Sequence, residues 1–108
     1  MGSDSSYCLV LTTTASAQQA EELAQAIIAA KLAACVQVQQ VQSYYRWEGE
    51  VRSEPEHLLF IKTRSAQYQA LEKFIGANHA YETPEIVQLP ITTGSAAYLR
   101  WIDEVTRA

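Results

Sequence analysis

Glycine and proline are scarce in this chain, four and three among 108 residues. That excludes collagen-like and low-complexity architectures and leaves few places where the backbone must turn sharply. Positive charge is also in short supply. Eight Lys and Arg face twelve Asp and Glu, for a net charge of −4, and no basic run exists. Nucleic-acid binding, which needs cations in excess to neutralise phosphates, is therefore not expected. No apolar stretch approaches the roughly 20 residues that span a bilayer, so no membrane association is expected either. The start, Met1-Gly2-Ser3-Asp4-Ser5-Ser6, lacks the positive beginning and apolar centre of a signal peptide. Residues 1–6 read as a flexible N-terminus, 7–108 as one domain, and the location as cytoplasmic. Cysteine is limited to Cys8 and Cys35. Each lies in an apolar run and reads as a small buried hydrophobe rather than half of a disulfide. Nucleophile elbows, Walker loops and dinucleotide-binding glycine fingerprints are missing, and no enzymatic activity is expected.

What is present is a globular composition, 48% hydrophobic and 19% charged, enough for one packed core. Tyr7-Cys8-Leu9-Val10-Leu11, extended by Thr12-Thr13-Thr14, predicts a strand. Ser16 and Gln19 form a capping pair for a helix whose apolar stripe is Ala20, Leu23, Ala24, Ile27 and Ile28. A long extended region follows from about 33 to 47. Val36 and Val38 lie on one parity, whereas Val41, Ser43, Tyr45 and Trp47 lie on the other, a slip that predicts a β-bulge. Glu48-Gly49 supplies a turn. A second extended run covers 50–63, with Pro55 marking an edge, bulge or bend and Leu58-Leu59-Phe60-Ile61 a central strand. Ser65 opens a second helix with Tyr68, Leu71, Phe74 and Ile75 as its stripe, ending near Gly76 and Asn78. Ile86 to Ile91 reads as the last core strand. Gly94-Ser95 precedes a terminal helix carrying Tyr98, Leu99, Ile102 and Val105.

This order, β-α-β-β-α-β plus a helix, predicts an α+β, ferredoxin-like sandwich with helices on one face of an antiparallel sheet. The two middle strands reach about fourteen residues against a usual five or six. Their far half would hold Val41, Tyr44, Tyr45 and Trp47 in water beside a free sheet edge, and self-association would cover both.

Chemistry-bearing residues concentrate in Asn78-His79-Ala80-Tyr81-Glu82-Thr83-Pro84-Glu85. His79, Glu82 and Glu85 supply N and O donors suited to Zn, Cu or Ni, without the spacing of a strong zinc signature. Alternatively, Tyr81 and Pro84 shape the loop while the carboxylates cap or pair. Tyr45 and Trp47, two apart, share one face of the hairpin. With Glu56, Lys62 and Tyr81 they would line a cleft of aromatic walls, one cation and several carboxylates; otherwise they pack a subunit contact. His57, beside an apolar strand, reads as structural.

Taken in order, Leu32-Ala33-Ala34-Cys35-Val36, Ser43-x-Tyr45-x-Trp47-x-Gly49, Glu56 leading to Ile61-Lys62-Thr63, His79-x-Tyr81-Glu82-x-Pro84-Glu85 and Tyr98-Leu99-x-Trp101 resemble the CutA divalent-cation tolerance proteins. The resemblance implies a ferredoxin-like fold similar to the PII signalling proteins, and a homotrimer assembled through the long hairpins. It also implies a role in the response to divalent metals, with Cu(II) or another divalent cation as the bound species. Bacterial relatives credited with a copper site carry cysteine where this chain has Thr12 and a second histidine where it has Asn78. Ala80 replaces a usual proline. Of that copper ligand set only His79 remains, with Glu82 and Glu85 able to help hold a weaker metal. The cleft residues Tyr45, Trp47, Glu56, Lys62, His79, Tyr81 and Glu85 are all retained, which also admits a PII-like small-molecule site between subunits, or a purely structural trimeric scaffold.

Overall fold

A computed structural model describes residues 6–107. The elements are β1 (Tyr7–Thr14), α1 (Ala17–Ala29), β2 (Cys35–Trp47), β3 (Glu50–Arg64), a single 3₁₀ turn (Ser65–Gln67), α2 (Tyr68–Ala77), β4 (Val87–Pro90) and α3 (Ala96–Thr106). The strands form one sheet in the order β2-β3-β1-β4, with every neighbour antiparallel. This is the expected ferredoxin-like α+β fold. The flexible lead-in read over 1–6 lies outside the described residues except for Ser6, whose carbonyl accepts from the Ser65 N–H at 2.8 Å.

The core is a layer between sheet and helices. Cys8 and Val10 of β1 and Leu59 and Ile61 of β3 meet Ala20, Leu23 and Ile27 of α1 and Leu71 and Ile75 of α2. Each fully buried Leu or Ile contributes roughly 1.5–3 kcal/mol relative to exposure. The helices begin and end by local chemistry. The Gln19 N–H donates to Ser16 Oγ at 3.1 Å, while the Gln19 amide accepts from the Ala15 N–H at 3.2 Å. At the other end of α1, Lys31 adopts φ 60°. The Leu32 N–H then reaches back to the Ile27 carbonyl at 3.1 Å, a left-handed cap that satisfies orphan carbonyls.

Several expectations are corrected. The β2–β3 ladder runs without interruption from Cys35↔Lys62 to Trp47↔Glu50, with no bulge. The apolar parity changes because the surroundings do. Val36 and Val38 lie opposite Ile61 and Leu59, on the helix-covered face. Beyond the helices the apolar positions move to the other face, opposite Arg52, Glu54 and Glu56. Pro55 is accommodated because β1 pairs with β3 only from His57 onward, leaving β3 a free edge there.

The helix expected from Ser65 starts three residues later, and Gly76 lies inside it. The strand read over Ile86 to Ile91 is shorter, and β4 is an exposed sheet edge rather than part of the core. In α3 the buried residues are Ile102 and Thr106, while Tyr98 and Val105 are exposed. This helix packs on the face away from α1 and α2. Tyr7 donates to Asp103 Oδ2 at 2.5 Å, Arg64 Nε donates to Thr106 Oγ1 at 2.8 Å, and Lys62 Nζ lies 5.7 Å from the Tyr98 ring centre. Tyr7, Lys62 and Arg64 have the parity opposite to the core residues Cys8, Ile61 and Thr63, which fixes the face.

The hairpin tip extends beyond β1. At about 3.3 Å per residue, thirteen residues of β2 span roughly 43 Å. The chain measures 44 × 32 × 22 Å with a radius of gyration of 14.6 Å, above the roughly 13 Å of a compact chain this long. Tyr44 and Val51 on the projecting arm are 74% and 71% exposed.

Candidate functional site

The turn fixes the register that builds the site. Glu48 and Gly49 take φ of 51° and 81°, a pair of positive values whose twist matches a tight hairpin. That register sets Tyr45 opposite Arg52, Ser43 opposite Glu54 and Val41 opposite Glu56, with Trp47 opposite Glu50. Partners across a ladder share a face, so aromatic rings and carboxylates are interleaved on one side of the ribbon.

The loop after α2 closes over this face. His79 anchors it through both ring nitrogens: Nδ1 accepts the Tyr81 N–H at 3.0 Å and Nε2 lies 2.6 Å from the Thr13 carbonyl. The network therefore assigns the proton to Nε2, which donates to Thr13. The rings of His79 and Tyr81 lie 4.8 Å apart. Tyr81 then reaches β3, its hydroxyl donating to Glu56 Oε2 at 2.7 Å. Burial, reinforced by the hydrogen bond to Glu56, pushes the Tyr81 phenol well above its ordinary range. The Tyr45 hydroxyl donates to Glu54 Oε1, and that bond raises the Tyr45 phenol as well. A phenol beside a carboxylate resists ionisation because a second anion there would be repelled.

Between ribbon and loop lies a cleft of about 580 Å³. Its walls include Tyr44, Tyr45, Trp47 and Tyr81, and four glutamates (54, 56, 82 and 85) line it against one cation, Arg52. This volume lies in the ordinary range for a small-molecule site, about 300–1,000 Å³. Glu56 is the buried member, 9% exposed.

The predicted residues divide between places. Tyr45, Trp47, Glu56, Tyr81, Glu82 and Glu85 come together around the cleft, as read from the sequence. Lys62 does not, and the expectation that it lines the cleft is corrected for a single chain. It shares a strand face with Glu56 but stands six residues along β3, about 20 Å away. There its ammonium donates to Gln37 Oε1 at 2.8 Å. His79 sits behind the cleft, lining a second hollow with Thr14, Gln19, Glu22 and Asn78. Glu54, Arg52 and Ser43 were missed. Ser43 shares the parity of Tyr45 and Trp47, whereas Glu54 and Arg52 become legible only when the Glu48-Gly49 turn is used to pair the strands. His57 lies opposite Gln40, the two side chains 3.5 Å apart. Cys8 and Cys35 are free thiols, and burial pushes the Cys8 thiol up.

These donors do not fit a copper ion. Neither nitrogen of His79 has a lone pair to spare while both loop contacts hold. Asn78 spends its amide on the Phe74 carbonyl at 2.8 Å, and Thr12 is fully buried. Among the described residues no three His, Cys, Asp or Glu side chains converge as a metal cage requires.

Residues 8–105 match the family described as CutA1 divalent ion tolerance protein. The chain belongs to that family. Protein CutA of Arabidopsis thaliana, named as chloroplastic, is 44% identical over 92% of the chain. The divalent-cation tolerance protein CutA of Thermus thermophilus is 42% identical over 91% of the chain and 96% of its own length. Among solved CutA structures, that of Oryza sativa CutA1 superposes with a TM-score of 0.91 at 41% identity, covering 94% of each chain. That of Archaeoglobus fulgidus CutA, described as periplasmic, gives 0.92 at 34% identity, covering 94% of this chain and 99% of that one. The chain spans about half the length of the plant and animal CutA proteins it matches, 55% of the Arabidopsis protein and 50% of the human one. No helix among the described residues is long and apolar enough to cross a membrane.

Proposed function

We propose that this chain, one CutA-like domain over 7–108, serves divalent-cation tolerance in the cytoplasm as a homotrimer that binds a ligand and catalyses no reaction. The names of its relatives supply the divalent-cation role. The binding reading rests on one observation: the 580 Å³ cleft with Glu56 buried in its wall and aromatic rings around it. The PII-like version, a regulatory module taking a small molecule, follows from that size and lining. Trimer formation is supported by the apolar surface that one chain leaves in water. Val87, Leu89, Tyr98, Trp101 and Val105 are all exposed, and the aromatic ribbon projects beyond its own helices.

A metal reading rests on the names of the relatives and on the carboxylates of Glu82 and Glu85, which line the cleft from one loop, and it needs donors to converge that stand apart in the single chain. It assigns His79, Glu82 and Glu85 as ligands, and His79 takes part only by giving up one of its loop contacts.

Calorimetric titration of the assembled protein with Cu(II) and with small organic ligands separates the readings. Saturable Cu(II) binding abolished in His79→Ala supports the metal site. Organic-ligand binding abolished in Trp47→Leu, with no response to Cu(II), supports the cleft. Silence toward both leaves a structural trimeric scaffold and refutes the proposal.

A further inference from the structure

The cleft carries an imbalance of charge that the chain does not resolve by itself. Glu56 is 9% exposed, and a buried carboxylate ordinarily has a cation against it. Among the described residues the salt bridges are Arg52–Glu48 and Arg107–Asp103, and neither involves Glu56. Only Tyr81 bonds to its carboxylate, through Oε2, leaving Oε1 without a hydrogen-bond partner among the described residues.

Glu54 has the same arrangement, one oxygen held by Tyr45. Arg52, the one cation in the lining, points its guanidinium at Glu48 Oε1, 3.6 Å away. Its Nε is covered without an acceptor. The two phenols do more than fill space. By donating to one oxygen each, they fix the carboxylates in place and orient the remaining oxygens, while their rings and the Trp47 indole supply π faces. Oriented carboxylate oxygens among aromatic rings make a recognition surface for a positively charged organic group, since the rings attract a cation by their quadrupole and the carboxylates by charge. A bare divalent ion fits this surface less well, because it requires several oxygens at about 2.0–2.6 Å from one point. Here, two of the carboxylate oxygens are already taken by phenols.

From this geometry we propose that the cleft is a binding site for a small organic cation, an alkylammonium or guanidinium compound, held by Glu56 and Glu54 and stacked against Trp47, Tyr45 and Tyr81. The proposal rests on the reading of the cleft as a ligand site and specifies the ligand's chemical class.

The test is calorimetric titration of the full chain with n-butylamine, tetramethylammonium and agmatine, alongside n-butanol and butyrate as neutral and anionic counterparts of the same size. The ammonium and guanidinium probes should bind saturably and at least ten-fold more tightly than the alcohol or the acid. Glu56→Gln should weaken them ten-fold or more. Because Glu56 is buried and its loss can disturb folding, Trp47→Leu on the ribbon provides a second variant, expected to weaken them several-fold with the particle mass in light scattering unchanged. Tyr81→Phe, which keeps the ring but releases Glu56 from its orienting hydrogen bond, should weaken them several-fold.

Butanol or butyrate binding where the amines do not would overturn the cationic class while leaving the cleft as a ligand site. No binding by any probe removes both, as it would if a neighbouring copy's lysine or arginine already filled the space. Undiminished amine binding in both Glu56→Gln and Trp47→Leu also refutes the proposal.

Discussion

Thr12 shows how a single buried atom can be misplaced energetically. Its side chain is fully buried, and its Oγ1 finds no hydrogen-bond partner among the described residues. An unsatisfied buried hydroxyl costs about 1–3 kcal/mol, so Thr12→Val, similar in shape, should stabilise the protein by about 1 kcal/mol in denaturant unfolding. An unchanged or lower midpoint would mean the hydroxyl is satisfied after all. Tyr81 presents the opposite case, a phenol well partnered by Glu56. Its pKa is raised in the folded state, so its contribution is complete below the ordinary value near 10. That contribution disappears as pH climbs through the elevated folded value. Stability should therefore be level with respect to this group up to about pH 10 and fall above it. Tyr81→Phe should make the alkaline decline shallower in thermal melts taken across that range; an identical decline in the variant would exclude Tyr81 as its source.

The decisive element is the β2–β3 ribbon, and its turn controls it. Gly49 sits at φ 81° with nothing within 4 Å of where a Cβ would stand. Replacement by alanine therefore meets no clash and costs only the left-handed conformation. Gly49→Ala should destabilise by about 1 kcal/mol, read as a shift in the denaturant midpoint at constant slope. A slip of one residue at this turn would turn the side chains of β2 to the opposite face. Tyr45 and Trp47 would then leave the face of Glu54 and Glu56, whose strand β1 holds in register, so a larger loss of ligand affinity than of stability is the sign that register has changed.

For the molecule as a whole, the sheet leaves one apolar face only partly covered. Leu9 and Leu11 of β1 lie opposite Leu89 and Val87 of β4, and α3 covers the neighbouring part. Burying such a face on other copies recovers roughly 25 cal/mol for each Å² of apolar surface. The expected particle in light scattering has three times the mass of the 12.0 kDa chain. Leu89→Asp, which places a charge on that face without touching the core of one chain, should lower the measured mass toward that of a single chain. Retention of the triple mass in this variant would move the contact elsewhere; a folded single chain in the wild type would remove the trimer.

Periodicity and capping residues determined the fold class. Ser16 with Gln19, the 3.6-residue stripe of Ala20, Leu23 and Ile27, and the unbroken apolar run of Leu58 to Ile61 each specify their element through local physics, whatever surrounds them. Most of the cleft was legible for the same reason: Tyr45 and Trp47 share a parity, and Tyr81, Glu82 and Glu85 share a loop. The positions of Lys62, Glu54 and α3 were not legible. Lys62 and Glu56 share a face, but how far apart they lie depends on strand length and on where the loop lands. Glu54 enters the site only through pairing across the turn. The absence of a bulge and the choice of sheet face by α3 depend on what covers each part of the sheet. That covering is a property of the packed chain, because local sequence patterns encode which side chains share a face but not which neighbour the face will meet.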